Sequence, residues 1–384
     1  MRSIAFIGLG GRLAGVIEHL LNAAGARLRI LGYADATPVG LPHLQKLGID
    51  PGRAFTDHGE MLAALKPDIV MIGSPNHLHL IHIRDALEAG CEVFTEKPVV
   101  ISPEETWELA RLIAKHGEQR LHVGLVLRSS LLYRRVRAII ASGGIGRPLT
   151  MEANEHLHFT HGAWIMRDWR RLRAFSGSHI LEKCCHDFDL YNSLAGARAS
   201  RVASFGGRDA FTTENARLAE GLNAVGQPRY GSRHTGWGAI DLAFGNDADI
   251  TDNQIAVVEY GNAFRLSFNT NTHATTAQRR WLIHGTTGSI ESDLATNRIT
   301  WRETAGAVHE ETIEVAGSGH GGADYEMGRD LAATLLDGAR FPVPATAALE
   351  AGLLCMAIDL AQREGRVVDL APWWQRLDAA LGRA

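Results

Sequence analysis

The opening stretch MRSIAFIGLGG restricts the fold of this chain more than any other. Residues 3–7 form a short apolar run that ends at Gly8, and apolar positions then recur with helical period from Arg12 to about Ala24. The order is strand, glycine turn, helix. Glycine allows a tight turn and the close approach of a pyrophosphate, whose charge then faces the unpaired N–H groups at the helix start. The turn reads Gly8-Leu9-Gly10-Gly11-Arg12, with Leu13 where a dinucleotide fingerprint has its third glycine and Gly15 two residues later. Asp35 closes the next apolar run, LGYADA, at the place where a carboxylate accepts hydrogen bonds from the adenosine ribose hydroxyls. A carboxylate there repels a 2′-phosphate, and no Lys or Arg lies between Ala36 and Gln45, so NAD is the expected cofactor rather than NADP.

The rhythm continues along the chain. Apolar runs at 28–34, 69–73, 92–95 and 121–126 alternate with helical stretches at 58–65, 77–89 and 103–117, the pattern of a doubly wound parallel sheet. After about residue 145 the texture changes to β-branched and aromatic runs at 149–159, 255–260, 264–270 and 281–284, which read as a mostly antiparallel sheet. Between them, 206–238 is rich in Gly, Arg and Asn with little periodicity, as expected of a functional loop or an oligomer contact. Helical patterns return at 324–337, 346–364 and 373–381, with Gly338 and Gly365 as C-cap stops. The expected architecture is α/β: an NAD-binding Rossmann domain over 1–125 and an α/β substrate-binding and oligomerisation domain with a large open sheet over 126–322. Residues 323–384 then supply C-terminal helices that pack back against both.

Composition removes several alternatives. The 39 Lys and Arg against 43 Asp and Glu give a net charge of −4, without the basic excess of a nucleic-acid binder. No run reaches about 18 apolar residues, and the first apolar run is too short for a signal segment, so neither membrane spanning nor export is expected. Cys91, Cys184, Cys185 and Cys355 show no C-x-x-C spacing, which suits a reducing cytoplasm. His156, His158 and His161 form H-x-H-x-x-H, but no acidic or cysteine partner follows at a fitting distance, so no metal is expected.

The segments IGSPNHLHL (72–80), ALEAGCEVFTEKP (86–98), GLVLR (124–128), SGGIGRPL (142–149), EKCCHDFDL (182–190), RRWLIHGTTGSIESD (279–293) and GHGGADYEMGRDL (319–331) resemble the Gfo/Idh/MocA family of oxidoreductases over nearly the full length. The resemblance implies a Rossmann domain followed by a sheet domain with the sugar site, commonly assembled as dimers or tetramers. It maps the family's EKP motif onto Glu96, Lys97 and Pro98, at the carboxyl edge of the parallel sheet where ligands bind. An ammonium there can hydrogen-bond the reacting hydroxyl and stabilise developing alkoxide charge. A cis bond before Pro98 is implied as well. The expected cofactor-side residues are Gly8, Gly10, Gly11, Arg12, Asp35, Ser74, Asn76, His77, His79, Glu96, Lys97, Trp164 and Arg167, of which the resemblance implies that Asn76, His77 and His79 lie near the nicotinamide and Trp164 and Arg167 near the nicotinamide or sugar; Arg128, His158 and Asp189 are the expected substrate-side residues.

His186 is the expected general base, since an imidazole with its ordinary pKa of about 6.5 can take the hydroxyl proton. The family's D-x-G-x-H motif departs here to Glu182-Lys183-Cys184-Cys185-His186, with Asp189 three residues on. Either Glu182, one helical turn before His186, still serves the histidine, or Lys183 has taken over a substrate contact. Cys184 and Cys185 read as small buried residues. Residues 128–183 hold ten Lys or Arg against four acids, which raises an anionic substrate group as one option.

The reaction expected first is NAD-dependent oxidation of a secondary alcohol of a sugar, polyol or glycoside. A redox-neutral NAD-dependent glycosidase is the alternative: transient C3 oxidation, elimination, water addition and re-reduction. A non-catalytic sensor is disfavoured because Lys97 and His186 are both present.

Overall fold

The computed structural model describes residues 1–231, 237–317 and 319–383. The chain forms two compact units. One comprises Met1–Ser130, Ala316–Leu353 and Trp373–Ala384, the other Leu131–Val315 and Leu354–Pro372. The stretch 323–384 is thus divided between them rather than forming a unit of its own.

The first unit is built on β1 (Arg2–Ile7), β2 (Leu28–Ala34), β3 (Arg53–Phe55), β4 (Ile69–Ile72), β5 (Glu92–Thr95) and β6 (Leu121–Val123), all parallel in the order β3-β2-β1-β4-β5-β6. Its helices are α1 (Gly11–Ala24), α2 (Leu41–Lys46), α3 (His58–Leu65), α4 (His79–Glu88) and α5 (Pro103–His116). All four residues of β4 are buried, as in a sheet covered on both faces. Strand order reverses between β1 and β4, which opens a crevice at their carboxyl ends. Asp57 and Ser102 start α3 and α5 by accepting from Glu60 and Glu105 amides, and Gly117 stops α5.

The second unit holds α6 (Leu131–Ala141), β7 (Pro148–His158), α7 (Phe159–Ile165), α8 (Arg173–Ser176), α9 (His179–Ala195), β8 (Ala199–Gly207), β9 (Asn253–Tyr260), β10 (Arg265–Ala274), β11 (Arg280–Gly285), β12 (Gly288–Asp293), β13 (Arg298–Glu303) and β14 (Val308–Thr312). With β15 (Val368–Asp369) these strands form one nine-stranded sheet, β14-β13-β12-β11-β7-β10-β9-β8-β15, antiparallel except for the β7/β10 pair. Burial alternates along β9 and β10, so one face is covered and the other open. Phe205, Ile255 and Val257 lie on that open face at 76%, 51% and 53% exposure.

Three more helices complete the chain: α10 (Ala323–Asp337), α11 (Ala345–Glu364) and α12 (Ala371–Ala380). Gly338 caps α10 in the left-handed region and Gly365 follows α11 at φ +61°, as the stop signals indicate. Among the described residues α11 alone is long and apolar enough to cross a bilayer, and it is mostly buried inside the protein.

Of the stretch 206–238, residues 232–236 lie outside the described residues. Around them, Phe211, Tyr230 and Phe244 pack with Leu157, Ile165 and Met166 into a small second core, so the long β8–β9 connection carries its own apolar contacts.

Candidate functional site

In the first unit the glycine turn leaves β1 at Gly8, whose φ is +77°; a Cβ there would lie 2.3 Å from the Ser74 amide nitrogen, so only glycine fits. Gly10 caps α1 without any side-chain hydrogen bond, and no acid lies in the first turn. The amides of Gly11, Arg12 and Leu13 precede the first intrahelical bond, Ala14 N–H to the Gly10 carbonyl, and suit a pyrophosphate. A Cβ at Gly11 would meet nothing within 4 Å, so its place is open to a ligand. Asp35 accepts from the Leu9 amide at 2.6 Å and the Thr37 amide at 2.7 Å, which fixes its carboxylate beside the turn. Each oxygen retains a lone pair for a ribose hydroxyl. These features fit a dinucleotide.

The fingerprint's missing third glycine has a structural counterpart. That glycine ordinarily lets helix and strand approach closely, and here the space is made from the strand side: a Cβ at Gly73 would lie 2.6 Å from the Cβ of Leu13.

Lys97 is half-buried just past β5, the second strand from β1, and the Lys97–Pro98 peptide is cis. Glu96 and Arg12 belong to one charge network. Arg12 donates from Nε to Glu96 at 3.1 Å and from Nη1 to Asp324 at 2.5 Å, tying α1 to the EKP turn and to α10. Burial alone would raise the Asp324 carboxyl, but His320 and Arg12 hold it well below its ordinary range. His79, one of the residues expected near the cofactor, opens α4 just past β4. Its ring is fully enclosed, with Nδ1 2.8 Å from the Pro98 carbonyl and Nε2 2.9 Å from the Ser74 carbonyl. It ties the turns after β4 and β5 together, and burial lowers its pKa against the pull of those carbonyls. Ser74 lies against Gly8, and its hydroxyl meets His82 Nδ1 at 2.9 Å; Asn76 is buried in the turn that follows. Arg128 belongs to this first unit, buried beside Ser129, which donates to Asp330.

In the second unit, α9 carries Glu182, Lys183, His186 and Asp189; Ser178 caps it by accepting from the Leu181 amide. Glu182, His186 and Asp189 are all buried. The two residues left open by the sequence fall into separate charge networks. Glu182 accepts from Arg170 Nε at 3.0 Å, whereas Lys183 Nζ lies 3.5 Å from Glu155 of β7. Arg279 joins the second network, with Nε 2.5 Å from Glu155 and 2.9 Å from Asp187. Burial pushes the Asp187 carboxyl up, to about 7, against the pull of Arg279. Burial likewise pushes the Cys184 thiol well up, and Cys184 and Cys185 are buried free thiols.

Glu155 and Arg279 were not singled out from sequence. A signal for Glu155 existed: it shares strand parity with the buried Met151, Ala153 and Leu157, so it is a carboxylate on the apolar stripe of β7.

The local excess of basic residues has mostly internal partners. Arg170 pairs with Asp168 and Glu182, Arg171 with Asp247, Arg173 with Asp359, and Arg135 with Glu311. Arg167, expected near the cofactor, donates from its guanidinium to the carbonyls of Tyr230 and Gly231 at 2.8 and 2.5 Å and so anchors the β8–β9 connection. Trp164 faces Arg170 at 4.9 Å and His161 at 5.4 Å. His158 is directed to the helix that follows, where its Nδ1 meets the Thr160 hydroxyl at 2.8 Å and caps α7. Among the described residues no group of three His, Cys, Asp or Glu is placed to hold a metal ion.

Comparison with known proteins agrees along the chain. Residues 2–125 match the model of an oxidoreductase family with an NAD-binding Rossmann fold, and residues 137–370 match that family's C-terminal alpha/beta domain. YteT of Bacillus subtilis is 26% identical over 379 residues, covering 86% of this chain and 88% of that protein. The 2,7-anhydro-N-acetylneuraminate hydratase of Mediterraneibacter gnavus is 26% identical over 267 residues, 67% of this chain and 61% of the relative. Among solved structures, a levoglucosan dehydrogenase in complex with NADH and levoglucosan superposes with a TM-score of 0.77 at 17% identity, covering 96% of this chain and 99% of that one. A myo-inositol 2-dehydrogenase from Lactobacillus plantarum gives 0.74 at 20% identity, over 96% and 99%.

Proposed function

The chain belongs to the Gfo/Idh/MocA oxidoreductase family, and from that premise we propose that it oxidises or reduces a secondary alcohol of a sugar, polyol or glycoside. The observation that carries this reading is the juxtaposition, at one carboxyl edge of one sheet, of a dinucleotide turn with Asp35 and a lysine-bearing turn after β5. Bound nicotinamide supplies a two-electron acceptor for the substrate carbon. Gly8, Gly10, Gly11 and the α1 amides hold the pyrophosphate, Asp35 the ribose, and Ser74 and Asn76 line the crevice. Lys97 stabilises charge developing on the reacting oxygen, and His186 takes the hydroxyl proton. Glu182 stands on the face of α9 that carries His186.

Relatives named for levoglucosan and myo-inositol support a polyhydroxylated substrate, and the internal pairing of the basic residues means that an anionic group is not required. The second reading is a redox-neutral NAD-dependent glycosidase, in which oxidation is transient; a relative named as a hydratase lends it slight support. One assay separates the two. The protein is incubated with NAD or NADP and a panel of inositols, levoglucosan, sugars, sugar acids and aryl glycosides, following absorbance at 340 nm and aglycone or hydrated product together. Stoichiometric NADH with the substrate skeleton intact supports the dehydrogenase; product over many turnovers without NADH, yet dependent on NAD, supports the second reading. No conversion of any panel member with either cofactor would sink both.

The four cysteines are buried free thiols, which supports a reducing cytoplasmic setting. The exposed apolar residues of the open sheet face, Phe205, Ile255 and Val257, support assembly with a second copy of the chain.

A further inference from the structure

Arg170 is held more completely than a surface arginine needs to be. Its Nη1 donates to Asp168 at 2.7 Å and its Nε to Glu182 at 3.0 Å, while the guanidinium plane faces the rings of Trp164 at 4.9 Å and Trp169 at 4.2 Å. Asp168 is fully buried and Glu182 nearly so. Two charged hydrogen bonds and two ring contacts together restrict the guanidinium's orientation. The segment that carries it is itself pinned: Arg167 donates to the Tyr230 and Gly231 carbonyls, Arg171 to the Gly238 carbonyl and Asp247, and Arg173 to Asp359. Planar, rigidly placed and always charged, this arginine can orient a carboxylate in a way a lysine cannot.

The carboxylate it orients is the one at which this chain departs from the family motif. Glutamate at 182 has one methylene more than aspartate, and a carbon–carbon bond of about 1.5 Å is the margin between a 3.0 Å hydrogen bond and none. We propose that Arg170 is a positioning residue for the reaction: it holds the Glu182 carboxylate, one helical turn before His186, in a single ionised orientation. The inference rests on the proposed role of His186. Asp168, Arg170 and Glu182 together carry one net negative charge, so a carboxylate remains to stabilise the imidazolium formed when His186 accepts a proton.

The test is a double-mutant cycle on the full-length protein with NAD and whichever panel substrate the wild type turns over fastest. Arg170→Met keeps an apolar stem between the tryptophans and removes the fork. It should lower kcat by about ten-fold or more with the KM for NAD little changed, and by less than about two-fold in an E182Q background, the coupling expected of one pair. Arg170→Lys should recover little of the loss. Equal losses in both backgrounds, or an unchanged kcat, would overturn the proposal. A readout without turnover accompanies it: the Arg170 Nε–H resonance in 15N NMR should exchange slowly in the wild type and lose that protection in Glu182→Leu, which removes the acceptor. Equal protection in Glu182→Leu would also overturn it. A wild type that converts nothing on the panel would sink the functional reading, while the resonance still decides the pairing.

Discussion

Single residues settle whether the dinucleotide end can form. Gly73 stands in for the fingerprint glycine that this chain replaces by Leu13, because closeness between α1 and β4 needs only one partner without a side chain. Gly73→Ala should therefore cost about 1–3 kcal/mol through overpacking and weaken NAD binding, read by thermal melting and by titration with NAD; unchanged values of both would refute the argument. His82 makes a second prediction at this scale. Buried behind Ser74, its pKa falls from 6.5 to about 3, chiefly through desolvation. The folded pKa lies below the unfolded one, so the unfolded chain binds a proton that the native chain refuses. The stability contributed is present above about 6.5 and is lost as pH falls toward 3. His82→Asn should reduce the proton uptake on unfolding between pH 6 and 4 by about one proton, measured from the pH dependence of the unfolding free energy.

At the scale of elements, α9 matters most. It lies against the sheet through a buried quartet in which Lys183 and Asp187 of the helix meet Glu155 of β7 and Arg279 at the start of β11. Removing one member of such a set leaves buried charge without its counterpart. Arg279→Met should thus destabilise the protein by about 3–5 kcal/mol, the range for breaking a buried pair, and a urea melt is the check. An unaltered midpoint would mean that water reaches the quartet. Helix periodicity shows that residues 182 and 186 share a face, and so the candidate catalytic face was legible. The partners of Glu182 and Lys183 were not, because neither Arg170 nor Glu155 is near in sequence to the helix in a way that any period encodes.

For the molecule as a whole, the parallel sheet was readable because five of its six strands are local apolar runs between turn signals. The strands that escaped were β3, whose residues are mostly exposed, the two-residue β15, the β12–β14 ribbon at the sheet edge, and β8, whose run ASRVASFGG is broken by Ser, Arg and Gly. Assembly belongs to this scale too. If the open face of the second sheet meets a second copy, Phe205→Asp together with Val257→Lys should shift the mass measured by light scattering to that of a smaller species without lowering the melting temperature of each chain. An unchanged mass would place the contact elsewhere, and a wild type that is already monomeric would remove the proposal.

What the sequence by itself determined is the local chemistry: a glycine that must take positive φ, an acid at a strand end, a lysine after a strand, and a histidine one turn from a carboxylate. These follow from neighbours in the chain, where sterics and periodicity act. Which charges neutralise one another was decided only in three dimensions. Arg12 reaches Asp324 across 312 residues and Arg279 reaches Asp187 across 92. Coulomb attraction depends on spatial separation and local dielectric, and neither quantity is written in residue order.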